Sequence, residues 1–196
     1  MKTFKLEGTL RDNIGKKATR ELRKQEVIPC NLYGNGENIN FQVKFNDVRK
    51  LIYTPEIFGV EITIDGKVHK AILKELQFHP VSDNLLHIDF YRVDEKKPVV
   101  MAVPVRLSGH AEGVKAGGKL IQRLRYLKVS GLYANIPETL QVDVTKLQLG
   151  KTIKVKELQF DNVELVSAAE DVVAAIKATR AAAAAAAAAA AQNAQG

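Results

Sequence analysis

A single cysteine, Cys30, serves the whole chain. This rules out an intrachain disulfide and fits a reduced, cytosolic compartment. Its neighbours, Ile28-Pro29-Cys30-Asn31-Leu32, are largely apolar, the setting of a buried structural thiol. The signatures of a metal site are missing too. His69, His79, His87 and His110 form no H-x-x-x-H pair, and no C-x-x-C occurs, although strong zinc sites present such tight spacings. His79 and His87 are separated by a proline-containing turn, and Asp89 is the sole third ligand that would point the same way. No metal and no other cofactor is expected. Without a Gly-x-Ser-x-Gly elbow or other nucleophile motif, catalysis is unsupported and the chain reads as a non-enzyme. The start, Met1-Lys2-Thr3-Phe4-Lys5, does not lead into an apolar signal-peptide core. The one uncharged run that raises a membrane question, Ala181–Ala191, is too short and too weakly apolar to span a bilayer.

What remains is a globular composition, 46% hydrophobic and 26% charged, with a basic surplus. Lys and Arg outnumber Asp and Glu by 29 to 22, for a net charge of +7. That balance favours an anionic partner such as nucleic acid, with an acidic protein or plain solubility as the alternatives. Short stretches rich in apolar and β-branched residues dominate the chain. Strands are expected over Phe4–Leu10, Ile39–Phe45, Gly59–Ile64 and Val68–Leu73, with Asp65-Gly66 as a two-residue hairpin turn between the last two. Helices are expected over Lys16–Glu26 and, behind an Asn46 cap, over Asp47–Tyr53. At Asp94-Glu95-Lys96-Lys97-Pro98 the apolar pattern gives way to charge and a proline, the candidate boundary between domains over 1–94 and 95–180. The second half repeats the strand-rich pattern over Val99–Leu107, Leu127–Ser130, Thr139–Val144, Thr152–Val155 and Val172–Ile176. Residues 181–196 read as a low-complexity tail, helix-prone but without an apolar face to dock, exposed and dispensable.

The chemistry concentrates in two places. From Leu85 to Arg92 the sequence reads Leu-Leu-His-Ile-Asp-Phe-Tyr-Arg. In a strand, successive side chains alternate between faces, so Leu86, Ile88 and Phe90 are expected in a core and His87, Asp89 and Tyr91 outside it. An outward row of hydrogen-bonding groups on a rigid strand suits recognition better than catalysis. The second place is the helix after Gly15. Ala18 and Leu22 lie one turn apart as its inner stripe, while Lys16, Arg20 and Arg23 cluster opposite, near Arg11 and Lys24. A solvated cationic face is the bland reading. Against it, six bases between Arg11 and Lys24 meet only Asp12 and Glu21, and a helix start following a glycine favours phosphate.

Gly113-Val114-Lys115-Ala116-Gly117-Gly118-Lys119 satisfies G-x-x-x-x-G-K, yet Leu120 stands where a phosphate loop needs a Ser or Thr hydroxyl for Mg²⁺. The residues that follow suit a strand as well as a helix. A glycine-rich connection carrying Lys115, Lys119, Arg123, Arg125 and Lys128 is the better description. That cluster touches RNA or a protein neighbour, or is only a solvated surface.

Three segments in this order and spacing resemble a known family: Gly15-Lys16-Lys17-Ala18-Thr19-Arg20-Glu21-Leu22-Arg23, Ile28-Pro29-Cys30-Asn31-Leu32-Tyr33-Gly34, and Gln77–Arg92. The family is the bacterial large-subunit ribosomal protein twenty-five, also called general stress protein Ctc, whose members bind 5S rRNA. Gly113–Gly118, Ile136-Pro137-Glu138 and Val142-Asp143-Val144 through Leu149-Gly150 resemble the extra C-terminal domain of its longer members. The resemblance covers residues 3–177 and implies a mainly β protein with short α-helices: an N-terminal six-stranded β-barrel, then a second β-rich domain. It implies binding to a widened minor groove of 5S rRNA, where shape, sugars and phosphates carry recognition. By the same resemblance Arg11, Lys16, Thr19, Arg20 and Arg23 lie on the phosphate side, and Gln77, His79, His87 and Asp89 at the groove. Tyr33 and Gly34 match the motif and are assigned to structure. Neighbouring large-subunit components are the other implied partners, in a cytoplasmic ribosome; a stress protein that visits ribosomes transiently is the alternative. The chain departs from the family at Cys30, where alanine is usual, at Tyr133 within Leu132–Pro137, and in its alanine tail.

Overall fold

The computed structural model describes residues 1–179, so the alanine tail lies outside the described residues. Two units emerge. One contains Met1–Met101 together with Gly131–Glu138; the other begins with Ala102–Ser130 and resumes at Thr139.

The first unit is the expected six-stranded barrel. Its strands are β1 (Lys2–Leu10), β2 (Val27–Gly34), β3 (Glu37–Lys44), β4 (Phe58–Ile64), β5 (Lys67–Phe78) and β6 (Leu85–Arg92). They close in the order β1-β3-β2-β6-β5-β4, with β1 parallel to β4 and β2 parallel to β6. Alternation drives the closure: Ile28, Cys30 and Leu32 from β2, Phe41 and Val43 from β3, and Ile88 and Phe90 from β6 all point inward and are buried. The Phe41 and Phe90 rings meet with centroids 5.8 Å apart. Asp65 and Gly66 turn at φ 47° and 77°, as a type I′ hairpin requires. Asn35-Gly36 makes a second such turn, at φ 54° and 83°, joining β2 to β3.

Strand β2 was not among the strands expected from sequence, and it carries Pro29, a residue that sheets confine to special positions. The proline is tolerated because pairing with β6 begins only at Cys30, leaving its missing N–H outside that ladder. Helix α1 (Lys16–Lys24) ends two residues earlier than expected, and Glu26 turns the chain at φ 58°. Its inner stripe of Ala18 and Leu22 is only half-buried, and no residue of α1 is buried. Helix α2 (Phe45–Tyr53) starts before Asn46, so that residue lies inside the helix and no side chain caps it. Val48 and Leu51 of α2 join the barrel core.

The second unit holds most of β7 (Val99–Ser108) and β9 (Tyr126–Gly131), whose first three residues and last residue respectively fall in the barrel unit, with α3 (Glu112–Lys115), β8 (Lys119–Gln122), β10 (Leu140–Asp143), β11 (Thr152–Lys154), β12 (Glu164–Leu165) and β13 (Val172–Lys177). They form a four-stranded sheet in the order β10-β7-β9-β12 and a three-stranded one in the order β11-β13-β8. The segment that sequence left open between helix and strand is β8, paired antiparallel with β13. Buried Val103, Leu127, Val129, Leu140 and Val142 supply alternate positions of the larger sheet. The molecule is mainly β with short helices.

Candidate nucleic-acid interface

Strand β6 presents the outward row expected of it, with one displacement at its start. Ile88 and Phe90 are fully buried, whereas His87 and Asp89 keep 20% and 22% of their side-chain surface exposed. At the beginning of the strand Leu85, not Leu86, enters the core. The cause is a bulge: Gln77 pairs with His87 and Phe78 with Leu85, so Leu86 has no partner on β5. Its carbonyl is thereby free of the ladder and accepts a hydrogen bond from Nε of Arg23 at 3.1 Å. One bulge thus fastens the basic helix α1 to strand β6.

His87 Nδ1 lies 3.0 Å from Asp89 Oδ1. Burial lowers the His87 pKa; Asp89 opposes this, and Arg23 and Arg11 reinforce it. The imidazole is therefore neutral near pH 7, with Nδ1–H donated to Asp89 and Nε2 left to accept. Gln77, exposed, stands opposite His87 on β5.

Around the start of α1 the polar groups interlock. Arg11 donates through Nη2 to the Asn13 carbonyl at 3.2 Å and to Thr19 Oγ1 at 3.3 Å. The Thr19 hydroxyl in turn donates to the Gly15 carbonyl at 2.7 Å. Thr19 thus holds Arg11 in place, and its hydroxyl proton is already used. Among the described residues the Arg11 Nε is buried without a partner. Lys16 and Arg20, one turn apart, are exposed and make no ion pair among the described residues. The structure therefore brings together Arg11, Thr19, Arg23, His87 and Asp89, with Gln77 beside them.

His79 is placed differently, beyond the end of β5 in the turn to β6. Its Nδ1 accepts the backbone N–H groups of Val81 at 3.3 Å and Ser82 at 3.2 Å. One ring nitrogen stabilises the turn, leaving Nε2–H to face outward.

Residues of β2 and β3 complete the same face and were missed in the sequence. The registers align Asn40, Asn31, Asp89 and Glu75 across four strands, β3-β2-β6-β5. Tyr33 packs edge-on against Tyr91, with centroids 5.7 Å apart and planes at 73°. The signal was present: once Cys30 and Leu32 are assigned to the core, Asn31 and Tyr33 must face out.

Other candidate chemistry resolves into structure. The Cys30 thiol is fully buried, and burial pushes its pKa well up. In the glycine-rich loop the backbone N–H groups of residues 113–118 all donate to carbonyls of the chain: Leu147, Ala111, Glu112, Val114 and Gly113. None is left to cradle phosphate. A Cβ on Gly113 or Gly118 would come within 2.6 Å or 2.5 Å of neighbouring atoms, so these glycines serve close packing. Lys115, Lys119, Arg123, Arg125 and Lys128 are exposed, and Lys119 stands opposite Lys177 in the ladder. Among the described residues no group of three or more His, Cys, Asp and Glu side chains could hold a metal, and no helix is long and apolar enough to cross a membrane.

Comparison with known proteins agrees along the chain. The Ribosomal L25p family matches residues 6–90, and the C-terminal domain of ribosomal protein TL5 matches residues 98–180. The large ribosomal subunit protein bL25 of Porphyromonas gingivalis is 58% identical over 182 residues, covering 92% of this chain and 95% of the relative. The bL25 protein of Phocaeicola vulgatus is 55% identical over 187 residues, covering 92% and 94%. That of Bacteroides thetaiotaomicron is 54% identical over 185 residues, with the same coverage. Barrel, second β-rich unit and matches over both halves together make this chain a member of the Ribosomal L25p family, in the form that carries the TL5-type C-terminal domain.

Proposed function

We propose that the chain is a structural, non-enzymatic component of the large ribosomal subunit that binds 5S rRNA through helix α1 and the polar face of β6. The relatives are named as large-subunit proteins, and that role is carried here to this chain, with neighbouring subunit components as its other partners. The observation that carries the reading is the hydrogen bond from Arg23 to the Leu86 carbonyl. It holds a cationic helix beside His87 and Asp89, so that phosphates and base or ribose edges are met by one continuous surface. Lys16 and Arg20 supply unpaired cations; Arg11 and Arg23 are anchored by hydrogen bonds and keep part of their donor fork. Gln77, His79, His87 and Asp89 offer both donors and acceptors to the groove, the combination shape-led RNA recognition uses.

Two substitutions separate the two halves of this surface. Arg20→Ala weakens binding to every RNA and lowers the salt slope of log K by about one unit. His87→Ala instead costs selectivity for 5S rRNA over an unrelated duplex, by roughly 1–3 kcal/mol. Filter binding across a salt series reads both. Unchanged binding in the arginine variant, or equal losses on both RNAs in the histidine variant, contradicts the assignment.

A further inference from the structure

The amides of Asn31 and Asn40 have no evident structural reason to be where they are. Asparagine is depleted in strands, where β-branched and aromatic side chains pack better. Here two stand opposite each other on interior strands of a closed barrel. Both are half-buried, and neither side chain makes a hydrogen bond among the described residues. Turn formation, the usual employment of asparagine, does not apply to these central positions.

Their surroundings define what they can meet. Asn31 is level with Asp89 on the parallel neighbour β6, and all three side chains share the outer face. Adjacent strands lie about 4.8 Å apart, so the Asn40–Asn31–Asp89 row spans about 10 Å. Asp89 turns Oδ1 to His87, and its other oxygen is left to accept. At the β3 end the backbone N–H of Arg11 donates to the Asn40 backbone carbonyl at 3.0 Å, so the row begins beside a cationic residue whose guanidinium reaches Thr19 of α1. At the opposite end Glu75 pairs with Asp89 across β5 and β6, and a carboxylate there repels phosphate. The row therefore has a direction: cationic where a backbone can pass, anionic where only a donor edge is welcome.

Resting on the reading of this face as an RNA interface, we propose that Asn31 and Asn40 are specificity-determining residues that extend it from β6 across β2 to β3. With Asp89 they take the minor-groove edge of a base pair and its riboses. The carboxylate accepts from an exocyclic amino group, which in that groove distinguishes G·C from A·U pairs. The amides donate to the adjacent ring acceptors and exchange hydrogen bonds with 2′-hydroxyls, which a wide RNA minor groove displays. Half-buried amides then find on RNA the partners they lack among the described residues.

The test compares the full-length chain with Asn31→Ala/Asn40→Ala and Asn31→Thr/Asn40→Thr, the second pair keeping strand preference should alanine disturb the fold. Affinity is measured for 5S rRNA and for tRNA across a salt series, with Arg20→Ala alongside. The expected result is at least a tenfold drop in the 5S-to-tRNA ratio for the alanine pair, with its salt slope unchanged, since no phosphate contact is removed. Retention of the full ratio in both amide variants, while Arg20→Ala weakens all RNAs, overturns this proposal alone. Absence of any 5S preference in the unaltered chain overturns the RNA reading and this one with it.

Discussion

At Gly59 an added Cβ would stand 1.7 Å from the Tyr133 hydroxyl oxygen and 2.9 Å from its ring carbon Cζ. The ring comes from Gly131–Glu138, the segment that belongs to the barrel unit although it follows β9. Burial raises the Tyr133 pKa, against the pull of Lys70, so the hydroxyl is partly desolvated beside β4 and β5. Gly59→Ala should push the ring from its seat and cost about 1–3 kcal/mol in urea denaturation, the usual range for overpacking. In a Tyr133→Ala background the same substitution should cost much less, and equal costs in the two backgrounds would remove Tyr133 as the cause. From sequence, Tyr133 was visible only as a departure from a family pattern. Nothing local ties it to Gly59, because the link is made by tertiary packing across more than seventy positions. Asn31 is the opposite case: its outward direction follows from its buried neighbours Cys30 and Leu32, yet its role depends on which strands lie beside it.

Among the elements, the strands were the more legible because an alternating pattern names its own faces. Five of the six barrel strands and the Asp65-Gly66 turn follow from it, whereas β2, which opens on the apolar Val27-Ile28-Pro29-Cys30, does not. Helix α1 shows the converse limit. Its 3.6-residue stripe was readable, but not that Ala18 and Leu22 would stay half-exposed, or that a bulge at Leu86 would supply the helix with its anchor. A helix with no buried residue and an extended Gly15 at its N-cap has little to hold it closed. The amides of α1 should therefore exchange with solvent well before those of β2 and β6, with Arg23→Ala widening the gap. Native-state hydrogen exchange by NMR measures this directly. Protection in α1 equal to that of the barrel strands would show the helix to be an integral part of the core.

Across the whole molecule, the proposed RNA binding needs one polar face and one cationic helix placed together on a closed barrel, where no sheet edge is left to fray. The second unit, with its basic residues on and around β8 and β9, is built around its own buried residues and needs no nucleotide for its glycine-rich loop to be satisfied. Because Gly131–Glu138 belongs to the barrel unit, the entire chain is the proper object for binding. The most direct measurement is the affinity of the full-length protein for 5S rRNA across a salt series, with tRNA as competitor. The predicted result is tight binding that tRNA does not displace at equal concentration, a 5S preference that persists as salt rises, and a log–log slope reporting several phosphate contacts. Binding that falls away equally for both RNAs as salt rises would contradict it, leaving a basic surface without the groove recognition assigned to β6.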